Sequence, residues 1–207
     1  MRRVRQHVNP LLLRYRTPRT ARLTLPPGDE IEVELGCAEA QFLFERAERH
    51  PERGYVGLEI REELVRSVNE RAQAIGAPVV AAFSNINVDL QHMFEAGAVA
   101  RAFINFPDPW FKTRHHKRRL MEDDLVVGCH HILREGGELL FQSDVWDLAL
   151  DALEVLERHP DRFENLAGAW SFWKEPNPYG VRSRREQGCE EEGAPVWRIF
   201  YKRRGRP

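Results

Sequence analysis

Asp108 stands between two prolines in Phe-Pro-Asp-Pro-Trp, residues 106–110, and the basic run KTRHHKRR, Lys112 to Arg119, follows almost at once. Proline has no backbone donor, fixes its own φ and restricts the residue before it, so the two together present the Asp108 carboxylate from a stiff loop. A rigid acid beside Lys112, Arg114, Lys117, Arg118 and Arg119 suits a site that holds a base while gripping its phosphates. A purely structural turn uses the same residue types, and it is the adjoining cations that favour the first reading. His115 and His116, inside the run, either meet phosphate or are solvated.

A second constellation lies upstream. The segment EIEVELG ends at Gly36, and Glu59 closes the apolar run YVGLE about twenty residues later, the separation at which an acid accepts both hydroxyls of an adenosine ribose. The turn itself reads GCAEAQ, with no GxGxxG, which argues against a nicotinamide dehydrogenase. Glu34 is either a buried acid held by amides or an arginine, or a carboxylate facing the cationic end of a cofactor.

These residues need elements to hold them. Glu30 to Gly36 alternates as a strand does, and the following AEAQFLFERAERHP reads as a helix ended by Pro51. YVGLEI is a second strand, and residues 61–76 place Leu64, Val65, Val68 and Ala72 at helical spacing before Gly76. The alternation repeats through VVAAF, a short helix VDLQHMFEA and the strand Val99 to Phe106. A helix from about Met121 to Arg134, stopped by Gly136 and Gly137, then precedes the strand ELLFQS, a helix over VWDLALDALEVLERH, and terminal strands that include PVWRIFYKR. Regular β/α alternation with nearly continuous apolar strands predicts a mostly parallel sheet covered on both faces, with ligands at the carboxyl ends of the strands. Glu34, Gly36, Glu59, Ser84, Asn85, Asp108 and Asp144 all fall just there.

With 207 residues, 42% of them hydrophobic, the chain suits one sizeable core, expected over residues 29–207 behind a basic arm, 1–28. The formal charge of −1 conceals segregation. Seven arginines and no acid precede Asp29, residues 29–70 are predominantly acidic, and basic clusters return at 112–119, at Arg182, Arg184 and Arg185, and near the C-terminus. Such a distribution suits a partner rich in phosphate. The three cysteines, Cys37, Cys129 and Cys189, never adopt a metal-ligand spacing, so neither a disulfide framework nor a metal is expected. No apolar run long enough to cross a membrane is found, and a cytoplasmic protein, monomer or homodimer, is expected.

The segments ELGCAEAQF, GLEI, INFPDPWFKTRHHKRRL, GGELLFQSD and SRREQG followed by VWRIFYKR resemble, in order and over most of the chain, the successive motifs of the bacterial tRNA (guanine-N7)-methyltransferases. That resemblance implies an α/β, Rossmann-like class I methyltransferase fold with a seven-stranded, mostly parallel sheet, S-adenosylmethionine as cofactor, and the variable-loop guanine-46 of tRNA as substrate. It further implies that Glu34, Gly36, Glu59, Asn85 and Asp108 contact the cofactor and that Asp108 is catalytic. Lys112, Asp144, Ser183 and Glu186 would bind the substrate, the last two matching a T-x-x-E motif with serine in place of threonine.

The departures carry their own expectations. The family has glycine where this chain has Ala38 and Ala40, and a positive φ at either position costs an alanine about 1 to 2 kcal/mol. Asn85 lies in the divergent SNINVDL, where Asp89 competes for its role. The alternative reading is a non-catalytic tRNA-binding protein that keeps the fold with weakened cofactor binding.

Overall fold

The computed structural model describes residues 22–108 and 121–205. Strands β1 (Ile31–Leu35), β2 (Gly54–Glu59), β3 (Val79–Phe83), β4 (Val99–Asn105) and β5 (Leu133–Ser143) alternate with helices α1 (Gln41–Arg49), α2 (Glu62–Ile75), α3 (Ile86–Met93) and α4 (Asp123–Ile132). Helix α5 (Trp146–Glu157), β6 (Phe163–Asn165), α6 (Arg184–Glu192) and β7 (Trp197–Arg203) complete the described chain. The strands form one seven-stranded sheet in the order β3-β2-β1-β4-β5-β7-β6. β1 to β5 pair in parallel and β7 runs antiparallel to both of its neighbours.

Two apolar layers cover this sheet, one on each face. Ile31, Val33 and Leu35 of β1 point into a core shared with α3, α4 and α5, and Phe103 and Leu140 point the other way, toward Phe42, Leu43 and Phe44 of α1. Burial on both faces explains why β1 and β2 are fully buried strands rather than alternating ones. The opposite face of β1 carries acids even so: Glu32 is inaccessible and is met by Arg46 Nη2 at 2.6 Å, Arg53 Nη1 at 2.9 Å and Arg101 Nη1 at 3.2 Å. An ion held by three guanidinium groups is a tolerable burial where a lone one is not.

Two boundaries differ from the sequence reading. Helix α4 passes straight into β5 at Leu133, and Gly136 and Gly137 lie inside the strand. Val99 pairs with Leu133 but Arg101 with Glu138, so residues 134–137 bulge out of the ladder, with Gly136 at φ 71. A bulge uses glycine as a helix stop does, which is why the two look alike in sequence. Helix α6 is the second difference. It has almost no apolar periodicity, and its signal is the start residue Ser183, whose Oγ accepts the Glu186 N–H at 3.2 Å, together with Gly193 at its end, at φ 66.

Candidate functional site

The strand order reverses direction between β1 and β4, and in sheets of this kind the crevice outside the carboxyl ends of the strands at that point takes the ligand. Its floor is the turn after β1. Gly36 N–H and Cys37 N–H donate to the Leu58 carbonyl at 2.8 and 3.0 Å, which stitches the turn to the end of β2. A Cβ on Gly57 would lie 2.5 Å from Cys37 Sγ, whereas one on Gly36 would meet nothing within 4 Å. The turn therefore packs tightly below and stays open above. Ala38 and Ala40 adopt φ of 50° and 51°, the left-handed region in which glycine is free and alanine is strained. Ala40 Cβ is wholly buried against α1 and its neighbours, so its methyl group packs into the core.

Glu59 and Glu34 flank this turn, each 4% exposed. Glu59 is richly satisfied: it accepts from Ala38 N–H, Ile60 N–H and Arg61 N–H at 2.9, 2.9 and 3.0 Å, and from Arg61 Nε and Nη2 at 2.9 Å each. Glu34 takes one donor, Asn105 Nδ2 at 2.8 Å to Oε1, and its Oε2 is buried without any hydrogen-bond partner. Burial pushes the Glu34 carboxyl up to about 8, with the Asn105 hydrogen bond pulling it down and the Glu59 charge pushing it further up. An acceptor in that condition costs free energy until a donor or a cation reaches it.

Asp108 is exposed at the end of the described loop. The Arg61 guanidinium is held charged chiefly by its hydrogen bonds to Glu59, against burial, with the Glu59 and Asp108 charges adding to that effect. Asp108 thus belongs to the same electrostatic cluster as Glu34, Cys37, Glu59 and Arg61. The loop is stiff for a reason beyond its prolines. Phe106 has φ 49, rare for a bulky residue, and its N–H is pinned to the Gln142 carbonyl at 2.8 Å; such a residue stores about 1 to 3 kcal/mol of strain. No sequence signal announces it.

On the β3 side, Asn85 is buried as the residue preceding α3, and Asp89 Oδ2 accepts its N–H at 2.8 Å. Asp89 thus braces the backbone of Asn85 at the start of α3. Ser84 Oγ, beside it, is buried without a hydrogen-bond partner. On the β5 side, Asp144 pairs with Arg185 Nε at 3.0 Å. Ser183 and Glu186 are both buried: the serine starts α6, and the Glu186 carboxylate accepts from Arg198 Nη2 at 2.7 Å, Gln142 Nε2 at 3.0 Å and Asn177 Nδ2 at 3.2 Å. Exposed Arg184 and Arg185 lie between them.

Lys112 and the rest of the 112–119 basic run lie outside the described residues, as does most of the 1–28 arm. Among the described residues no helix is long and apolar enough to cross a membrane, and no group of three His, Cys, Asp or Glu side chains could hold a metal. All three cysteines are free and buried. A groove of about 470 Å³ lined by residues including Pro27, Gln73, Pro78 and Val79 sits at the amino end of β3, the opposite end of the strands from the carboxylates.

A reversed strand order, an open glycine turn after β1 and an acid closing β2 define a Rossmann-like nucleotide cleft of the class I methyltransferase type. The same fold recurs in solved structures. A geranyl diphosphate methyltransferase in complex with SAM superposes with a TM-score of 0.55 at 15% identity, over 86% of this chain and 79% of that one. The aminoglycoside resistance methyltransferase NpmB1 gives 0.54 at 16%, over 85% and 88%. A family profile described as "Putative methyltransferase" matches residues 29–199. A tRNA (guanine-N(7)-)-methyltransferase of Synechococcus sp. (strain JA-3-3Ab) is 37% identical, over 98% of this chain and 86% of its own length. One of Synechocystis sp. (strain ATCC 27184 / PCC 6803 / Kazusa) is 36% identical, over 97% of both. The chain belongs to the tRNA (guanine-N7)-methyltransferase family.

Proposed function

We propose that this protein transfers the methyl group of S-adenosylmethionine to N7 of the variable-loop guanine-46 of tRNA, through one domain over residues 29–207 behind a basic arm over 1–28. The observation that carries the reading is the meeting of Glu34, Glu59 and Asp108 at the carboxyl ends of β1, β2 and β4, with Glu34 Oε2 buried and lacking a donor. The residues present fit the cofactor. Gly36 leaves the turn open, Glu59 takes the ribose hydroxyls in exchange for its Arg61 donors, Asn85 borders the base, and Glu34 and Asp108 face the cationic end.

Bound there, S-adenosylmethionine supplies an electrophilic methyl on a sulfonium. Guanine N7 has a lone pair and no proton, so the protein's own task is alignment, without a general base. Positive charge leaves sulfur and appears on the purine, and the carboxylates of Asp108 and Asp144 favour the cation as it forms. A carboxylate on a strained, proline-bounded loop needs little rearrangement to do so. Arg185 holds Asp144 until the substrate arrives. Ser183 and Glu186 serve the substrate by fixing the first turn of α6, which carries Arg184 and Arg185 toward phosphate, with Lys112 as the partner from the basic run.

Incubation with labelled S-adenosylmethionine and unmodified tRNA, followed by mapping of the modified base, tests this reading. Label at N7 of the variable-loop guanine is the expected result, and no incorporation, or label on another base, rejects it. Affinity for tRNA should fall steeply with salt because phosphate contacts release counterions; a flat response removes the basic clusters from the interface.

A further inference from the structure

Glu34 and Glu186, both buried, are joined by a continuous line of buried and half-buried hydrogen bonds. Asn105 Nδ2 donates to Glu34 Oε1 at 2.8 Å, and Asn105 Oδ1 accepts from Gln142 Nε2 at 2.8 Å. Gln142 Nε2 also donates to Glu186 Oε2 at 3.0 Å, while Gln142 Oε1 accepts from Arg198 Nε at 3.1 Å. Arg198 closes the line with Nη2 on Glu186 Oε1 at 2.7 Å. Asn105 is in register with Gln142, and Gln142 with Arg198, so the side chains stand side by side on one face of the sheet. The line crosses from β1 through β4, β5 and β7 to α6.

Its direction is determined. Glu34 Oε1 is an acceptor whether the carboxyl is ionised or carries its proton on Oε2, so the Asn105 amide nitrogen faces it and the Asn105 oxygen faces Gln142. At the other end Glu186 and Arg198 impose the same orientation on Gln142, and both amides have every polar atom engaged. Apolar side chains of this size would fill the space at comparable stability, so stability alone does not account for the row.

We propose that Asn105, Gln142 and Arg198 are positioning residues that couple the two halves of the site: engagement of Glu34 Oε2 by the cofactor tightens the row and orders the Ser183–Glu186 turn, with the Asp144–Arg185 pair, for RNA. The proposal rests on the methyl-transfer reading above. It makes binding of cofactor and tRNA mutually reinforcing, since coupling between sites is reciprocal.

Equilibrium binding of S-adenosylhomocysteine, which cannot react, is measured with and without saturating unmodified tRNA. In the native chain tRNA tightens it by about fivefold or more. In Gln142→Met that factor falls below about twofold and kcat drops roughly tenfold, while affinity for each ligand alone moves by less than about threefold. Arg198→Lys, which keeps the ion pair with Glu186 and loses the fork to Gln142, loses part of the coupling and is decisive if Gln142→Met fails to fold. A merely structural row would shift the melting temperature and leave the coupling intact. Coupling retained in both variants, or absent from the native chain, overturns the proposal. A native chain that puts no methyl into tRNA overturns the function itself, and the role of the row with it.

Discussion

Glu34 and Glu59 end neighbouring parallel strands and are equally buried, yet one has five hydrogen-bond donors and the other has one. Burial does not distinguish them; an account of donors does. Glu59 is satisfied by its own turn, so a ligand there exchanges partners at small net cost. Glu34 holds an unmet acceptor, so a ligand there relieves a penalty the fold already carries. One acid selects by geometry and the other by charge. The same contrast separates the floor of the cleft from its rim, where Asp108 is exposed and Asp144 is in an exchangeable pair with Arg185.

The contrast between rim and floor breaks first at Asp108. Asp108→Asn should lower kcat by roughly a hundredfold or more while leaving tRNA affinity within about threefold, because the carboxylate acts on charge that develops during transfer. Steady-state kinetics beside a binding titration checks this, and near-normal turnover removes Asp108 from its role.

Glu34→Gln should produce the next largest effect, and in opposite senses for binding and stability. The carboxyl titrates near 8 in the fold against an ordinary value of 4.5, so between those values the folded state binds more protons than the unfolded one. The stability this group contributes is therefore fully present below pH 4.5 and is lost as pH rises to 8, by up to about 1.4 kcal/mol per pH unit. The glutamine variant should show a flatter pH dependence in chemical denaturation between pH 5 and 8, estimated from the same linkage, and weaker cofactor binding, about tenfold or more. An unchanged slope would show that Glu34 is already ionised in the empty fold.

The turn itself supplies the smallest effects. Ala38→Gly should stabilise the protein by about 1 kcal/mol, roughly 2 to 4 °C in Tm, by releasing left-handed strain. Ala40→Gly should gain less, because its buried methyl group contributes about 0.8 kcal/mol that glycine forfeits. Thermal melts that rank Ala40→Gly above Ala38→Gly would contradict the assignment of the Ala40 methyl to the core.

Much of this architecture is legible in the chain. Apolar runs bounded by Gly36, Pro51 and Gly76 mark β1, α1, β2 and α2, because two-sided burial and helix capping leave local traces. The positions of Glu34, Glu59, Asn85, Asp108 and Asp144 at strand ends follow from the same alternation. What the chain hides is what depends on distant partners. Helix α6 is stabilised by Glu186 reaching Arg198 and Gln142, so its residues show little amphipathic pattern of their own. The bulge at Gly136 is a matter of pairing with β4. The left-handed Phe106 and the solitary state of Glu34 Oε2 exist only once β4 lies between β1 and β5.

Isothermal titration of S-adenosylmethionine into the native chain and into Glu34→Gln, in two buffers of different ionisation enthalpy below pH 8, shows whether the Glu34 carboxyl ionises to meet the sulfonium. Binding by the native chain should release about one proton per site and tighten as pH rises toward 8, and the variant should show neither proton release nor that pH dependence. No binding by the native chain at millimolar cofactor, or equal proton release from both proteins, would contradict this role of Glu34.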